Sequence, residues 1–294
     1  MRFLKRVLPL LLCLFLCGCR TVTPAASAVS APLPTRPSAK DETVHHDTLS
    51  GVWLSYIELD AAFKNADPAA AAAYLDGVMR ACRAHGINTV FFHVRAHSDA
   101  YYASSVYAPA DSVKELLSAG FDPLSYAIKA AHAHNISLHA WINPYRVGAD
   151  SARAVCADIF KVGDKWYYIP SSDTAVRKIL DGVREIVCNY AVDGVQYDDY
   201  FYPSGMPATA QAFETPPAGV SLAAYRKAAV NRLIAFTCSA VHRRRGCVFG
   251  VSPAGNRART QERLFADTAL WLSVTGYIDY LCPQVYWGYG FTLQ

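Results

Sequence analysis

Asp193-Gly194-Val195-Gln196-Tyr197-Asp198-Asp199-Tyr200-Phe201-Tyr202-Pro203 reads as a short apolar strand that ends in two carboxylates and three aromatic rings. Side chains alternate along a strand, so Gln196, Asp198 and Tyr200 share one side while Tyr197 and Asp199 share the other. The same kind of segment recurs in both directions along the chain: Gly51 to Ile57, Thr89 to Arg95, Ser137 to Asn143, Cys247 to Ser252 and Ile278 to Tyr286. All are short, apolar and β-branched or aromatic, as strands covered on both faces should be. Amphipathic helices fill the intervals. Leu75, Val78, Met79 and Cys82 fall at i, i+3, i+4 and i+7 in a helix opened by Asp67-Pro68 and closed by Gly86. Asp122-Pro123 opens the next, and Val176, Ile179, Leu180, Val183, Ile186 and Val187 mark a third apolar face. Ser221 opens a fourth helix through about Arg244, and residues 260–274 supply a fifth.

Alternation of this kind demands a parallel sheet, either open and doubly wound or closed as a (β/α)8 barrel. Polar groups at the strand ends decide between them: Tyr56 and Glu58, Arg95 and His97, Asn143 and Arg146, Asp198 and Asp199, Ser252 and Asn256, Gln284 and Tyr286. A barrel gathers all its strand ends around one mouth, whereas an open sheet uses mainly its switch-point crevice. The expected fold is therefore α/β, a (β/α)8 barrel of TIM type with about six βα units in this chain. Only seven residues follow Trp287, so two units are expected to be missing. No Gly-x-Gly-x-x-Gly or Gly-x-x-x-x-Gly-Lys follows a strand, which disfavours a nucleotide-binding sheet.

Composition bounds the function. The 294 residues are 52% hydrophobic and 18% charged, a compact globular balance. Of the net charge of +4, Arg2, Lys5 and Arg6 at the extreme N-terminus supply most, leaving the remainder near neutral. The one dense basic run, His242 to Arg245, suits a helix C-terminus better than a phosphate site, so no nucleic-acid partner is expected.

Residues 1–19 combine a basic start, an apolar core and Leu16-Cys17-Gly18-Cys19, the pattern of an export signal. Its ending resembles a bacterial lipobox, which implies lipid attachment to Cys19 and residence in the cell envelope, at the outer membrane if the host is Gram-negative. Residues 20–48, rich in Pro, Ala, Ser and Thr, read as a disordered tether, and 49–294 as one folded domain. Six cysteines remain beyond Cys19. They permit disulfides, yet Cys82, Cys188 and Cys238 lie in helical patterns and Cys282 in a strand, as small buried thiols do. No Cys-x-x-Cys or histidine pattern calls for a metal, and no motif calls for an organic cofactor.

Asp198 is the candidate for chemistry at the mouth. A carboxylate there can act as nucleophile, as stabiliser of an oxocarbenium-like transition state or as proton carrier, all of which glycoside hydrolysis needs. The structural alternative is that Asp198 or Asp199 caps the next loop or pairs with Arg95 or Arg146. About twenty residues rich in Pro, Gly, Ala and Thr then separate Tyr200 from the helix at Ser221, a length usual for functional loops. Tyr200, Phe201 and Tyr202 offer rings for stacking on a sugar, and Glu214 is either a general acid or a solvated loop charge.

Gly51-Val52-Trp53, Thr89 to Arg95, Gly120-Phe121-Asp122-Pro123-Leu124, His139-Ala140-Trp141-Ile142-Asn143-Pro144-Tyr145-Arg146, Asp193 to Pro203, Val251-Ser252-Pro253 and Ile278 to Trp287 resemble, in order and spacing, the successive signatures of the glycosyl hydrolase-like family 10 proteins. The resemblance implies a (β/α)8 barrel acting on glycans in the cell envelope, some members resembling hydrolases of peptidoglycan glycan strands. It also places Arg95, Asp99, Asn143, Tyr145, Arg146, Asp198, Asp199, Gln284, Tyr286 and Trp287 at the family's mouth positions. The expected catalytic residues are Asp198 and Asp199, with the remaining eight and Tyr200 binding substrate. The general acid is left among Asp199, Glu58, Asp99 and groups on the absent strands. The expected activity is a glycoside hydrolase acting on an envelope polysaccharide; the alternative is a glycan-binding envelope lipoprotein without catalysis.

Overall fold

The computed structural model describes residues 43–288 and 290. The expected signal peptide, Cys19 and most of the tether lie outside the described residues. Six parallel strands form one sheet in chain order: β1 (Gly51–Leu54), β2 (Thr89–Arg95), β3 (Ser137–Ile142), β4 (Gly194–Tyr197), β5 (Val248–Val251) and β6 (Tyr280–Leu281). Six strands, the first five each followed by helices, form a curled part of a (β/α)8-type barrel, with β1 and β6 at the two edges among the described residues.

The sheet curls because its inner face is graded in size. At Gly194 an added Cβ would strike the His139 ring at 2.6 Å, and at Gly250 the Tyr280 ring at 2.0 Å. Glycine alone leaves room for these two rings, whose polar atoms meet inside the barrel, His139 Nδ1 lying 2.8 Å from Tyr280 Oη. Trp53, Phe91 and His139 complete this layer, with Trp53 stacked on Phe91 at 4.4 Å and Phe91 edge-on to His139 at 5.3 Å. The ring of Phe91 on β2 also lies 6.4 Å from that of Tyr280 on β6, a closeness that only a curved sheet permits.

Helices cover the outer face: α1 (Tyr56–Phe63), α2 (Pro68–Ala84), α3 (Pro123–Ala133), α4 (Asp173–Asn189), α5 (Leu222–Val241), α6 (Arg257–Glu262) and α7 (Thr268–Ser273). Asp67 and Asp122 cap α2 and α3 through Ala70 N and Ser125 N, each followed by proline at the first helical position. Ser172 and Ser221 cap α4 and α5 in the same manner. The six apolar residues read from α4's periodicity are all buried. At the end of α5, His242 Nε2 lies 2.8 Å from Asp279 Oδ2 and Arg244 donates to Val192 O, so two residues of the basic run are tied to the scaffold.

The structure corrects several expectations. The first strand ends at Leu54, because Ser55 and Glu58 form a reciprocal cap that starts α1; Tyr56 and Glu58 are therefore helical. The fifth helix is two short ones, since Phe265 adopts a positive φ of 54° between α6 and α7. A small antiparallel sheet of 146–148, 165–168 and 159–162, absent from the strand pattern, follows β3. Cys188 is exposed, unlike the buried Cys82 and Cys238. The stretch 43–48, tether-like in composition, is tied to the barrel: Val44 N donates to Asp193 Oδ1 at 2.6 Å and Asn88 Nδ2 to Thr48 O at 2.7 Å.

Candidate active site

Asp198 follows β4 directly, and its backbone N–H still donates to Ile142 O of the neighbouring strand. Alternation holds to this point. Two residues earlier, Gln196 Oε1 accepts from Trp53 Nε1 at 2.8 Å across the barrel interior, while Tyr197 Oη meets Thr237 Oγ1 of α5 on the outer side. Asp198 is buried, and two donors converge on its Oδ1: Gln284 Nε2 at 2.6 Å and Asp199 N at 2.8 Å. Gln284 is itself steered, donating to Ser252 O at 2.9 Å and accepting from Tyr286 Oη at 3.1 Å.

Burial, and next the charge of Asp199, push the Asp198 carboxyl up to about 7, against the two hydrogen bonds that favour its ionised form. Asp199 is raised as well, again by burial, with the Asp198 carboxyl and the charge of Arg259 opposing. Both adjacent carboxyls are thus held above the ordinary carboxylate range, the condition for a group that gives and takes protons. Asp199 and Arg259 line a small cavity of about 200 Å³ together with Tyr167 and Tyr200.

Below Asp198 the inner face carries polar atoms without a hydrogen-bond partner among the described residues. His93 and Trp141 stack face to face at 3.7 Å, His93 Nδ1 accepts from Tyr56 N at 3.3 Å, and Trp141 Nε1 and Gln196 Nε2 are buried and unpaired. His93, Trp141 and Gln196 occupy one cross-strand row of β2, β3 and β4. Burial, together with the positive charge of Arg146 and Arg95, holds His93 well below its ordinary value, so it is neutral. Unsatisfied buried groups are rare in native proteins and cluster where a ligand completes them. Sequence reading missed this row. Its signal was available: His93 and Trp141 alternate with apolar residues on their strands at inward positions, as His139 also does.

Other residues expected at the mouth are distributed by their packing. Arg146 reaches it: the residue is buried, its guanidinium lies 4.9 Å from the centroid of the Tyr200 ring, and Tyr200 is partly exposed. Arg95 does not. The pairing of β2 with β3 slips between His93 and Arg95, and the side chain is buried in the wall, where its guanidinium donates to Asn143 O and Pro144 O at 2.5 Å each and sits over Tyr107. Tyr145 is fully enclosed and cannot touch a ligand, and Asn143 spends its Nδ2 on Ala96 O. Asp99 lies in a separate cavity beside the mouth, 3.6 Å from Arg153. Tyr286 is largely exposed, while Trp287 packs at Gly255.

Two further expectations are corrected in the loop after β4. Phe201 and Tyr202 are buried against Trp271 and Phe265, leaving Tyr200 as the ring available for stacking. Glu214 is neither solvated nor available as an acid: Arg226 grips it through Nε and Nη2, at 3.0 and 2.6 Å from Oε2, and Tyr202 Oη donates to Oε1 at 2.8 Å.

Residues 48–293 match the family described as glycosyl hydrolase-like 10. The glycosyl hydrolase DigH of Escherichia coli strain K12 is 29% identical, over 94% of this chain and 73% of that protein. The glycosyl hydrolase YngK of Bacillus subtilis strain 168 is 31% identical, over 70% of this chain and 47% of that protein. Among solved structures, the PgaB (BpsB) glycoside hydrolase domain from Bordetella bronchiseptica superposes with a TM-score of 0.56 at 14% identity, over 85% of this chain and 73% of that one. At that identity the likeness speaks to the fold alone.

Proposed function

The chain belongs to the glycosyl hydrolase-like 10 family, and on that premise we propose that it cleaves envelope polysaccharide, the glycan strands of peptidoglycan, with Asp198 acting at the scissile bond. The observation that carries this reading is the Asp198–Asp199 pair at the strand ends, with Asp198 pushed to about 7 and clasped by Gln284. The sequence pattern suited Asp198 to a nucleophilic or stabilising role. A carboxyl titrating near neutrality is better matched to carrying the proton. Both donors address Oδ1, so the proton of the neutral acid resides on Oδ2. It passes to the glycosidic oxygen as the C–O bond breaks, the carboxylate left behind is held by Gln284 and the Asp199 N–H, and water then bonds to the anomeric carbon and returns a proton to that carboxylate. The charge of Asp199 supports the cationic sugar.

A second reading has an observation in its favour. Hydrolysis by the two-carboxylate route needs an acid and a base on opposite sides of the bond. The other carboxylates singled out from the sequence are engaged elsewhere: Glu58 in the α1 cap, Asp99 with Arg153, Glu214 with Arg226. A glycan-binding lipoprotein with the same mouth is the alternative. Release of reducing ends from purified, peptide-stripped glycan strands separates the two. Wild type is expected to release them and Asp198→Asn to lose the activity. Equal activity of both proteins removes Asp198 from the chemistry, and retained pull-down without release favours the binding module.

We place the protein in the envelope, anchored through Cys19, because Leu16-Cys17-Gly18-Cys19 closes an export-signal pattern. Cys19→Ala is expected to move it from the membrane to the soluble fraction.

A further inference from the structure

We propose that the cavity beside the catalytic carboxylates is an acid-recognising subsite, in which the Arg146 guanidinium, seconded by Lys165, receives a carboxylate carried by the glycan; this rests on the glycan-hydrolase reading above. The cavity has a volume of about 670 Å³, enough for a substituted sugar, and Tyr56, His97, Asp99, Arg146 and Lys165 contribute to its lining. Arg146 is only 7% exposed and its Nε is buried without a partner. Among the described residues no carboxylate pairs with it, and the Tyr200 ring is its companion.

Three other arginines packed into the fold are matched. Arg95 is consumed by main-chain carbonyls, Arg226 by Glu214, and Arg153 by Asp111 at 2.7 Å. A guanidinium cannot shed its proton to escape burial, so an unmatched one awaits an anion. The cavity is also lined by acids: Asp60 accepts from Tyr101 Oη and Ser112 Oγ, Asp99 accepts from His97 N and with Asp111 faces Arg153, Asp150 accepts from Ala152 N, and Glu115 completes the set. Burial and then the charges of Arg146, Lys165, Arg95 and Arg153 depress His97 to about 4.

Placement ties the subsite to the reaction. Tyr200, whose ring lies over Arg146 at 4.9 Å, stands two residues after Asp198 and lines the small cavity of Asp199, which puts the Arg146 end of the subsite beside the carboxylates. The planar fork of arginine matches a planar carboxylate in two bonds, which a neutral hydroxyl cannot reproduce. Lactyl ethers and uronic acids both present this group.

The probes are peptide-stripped peptidoglycan strands, which carry lactyl carboxylates, an oligouronate, and the carboxyl-reduced form of each. Binding is measured by calorimetry on Asp198→Asn, and kcat/KM on wild type. One acidic probe is expected to bind about tenfold or more tighter than its reduced form, and which probe does so identifies the source of the carboxylate. Adding Arg146→Gln collapses that ratio toward one, Arg146→Lys retains part of it, and Lys165→Gln lowers it by a smaller factor. Equal binding of acidic and reduced forms overturns the proposal. So does an equal loss on both in Arg146→Gln, which would make Arg146 a support for Tyr200. If Arg146→Gln does not fold, an unchanged ratio in Lys165→Gln overturns it. A preserved ratio with no cleavage by wild type leaves the subsite standing and sinks the hydrolase, whereas equal cleavage of both forms does the reverse.

Discussion

Two buried aspartates bracket β4, and their surroundings differ in a way that separates structure from chemistry. Asp193, at the lower end, is fully enclosed and saturated: Val44 N and Leu138 N donate to it at 2.6 and 2.7 Å, and His132 Nε2 lies 2.9 Å away. Its donors come from the N-terminal segment, from β3 and from α3, so this carboxylate is a clamp. Asp198, at the upper end, takes both its donors on one oxygen and faces a second carboxyl. Asp193 has donors from three separate elements, whereas burial and the charge of Asp199 raise the carboxyl of Asp198 against its two donors. Burial alone does not mark a functional carboxylate; burial with incomplete satisfaction does.

The widest separation between the two should come from activity. Asp198→Asn is expected to reduce kcat on stripped glycan strands about a thousandfold without loss of thermal stability, since the amide keeps the shape and removes a like charge. The pH dependence is specific. The folded value of Asp198 lies above its ordinary 3.8, so between 3.8 and about 7 the folded state holds a proton that the unfolded chain has released. Its contribution to stability therefore falls as pH rises through that window. The urea midpoint of Asp198→Asn should exceed that of wild type above pH 7, with the gap closing toward pH 4.

Asp193→Ala tests the opposite expectation, a loss of about 3 kcal/mol in urea unfolding with the turnover of the folded fraction little changed. A variant whose stability matched wild type would erase the contrast between the two ends. Next in size, Glu214→Gln should cost about 2 kcal/mol, because it unties the loop after β4 from α5, and proteolysis within residues 203–220 should accelerate. The smallest effect sharpens the upper site alone. Gln284→Ala removes a donor that favours ionised Asp198, so the pH–rate limb assigned to that group should move to higher pH while the urea midpoint stays nearly fixed.

Much of the scaffold was readable before any coordinates. Asp67-Pro68, Asp122-Pro123, Ser172 and Ser221 begin helices by local chemistry, a side-chain oxygen accepting from a nearby N–H, and such interactions leave their spacing in the chain. The first strand was read too far because Ser55 and Glu58 were not recognised as a capping pair. Alternation carried through β4 placed Gln196 inside and Tyr197 outside. It failed at Arg95, where the β2–β3 register slips and sends a residue expected at the mouth into the wall. Nor did Glu214 announce its partner, since Arg226 lies a turn into another helix and nothing local relates the two.

By itself the sequence determined the repeating βα order, the helix starts and the position of two carboxylates at the end of one strand. These follow from periodicity and short-range hydrogen bonding, which act over a few residues and are written in adjacent letters. Only the folded molecule decided which acids are spent and which are open, that Gly194 and Gly250 shape the barrel around His139 and Tyr280, and that Arg146 is left with a ring and no anion. Satisfaction and burial depend on groups brought together from distant parts of the chain, and the free energy of a charge is set by those neighbours rather than by its own place in the order.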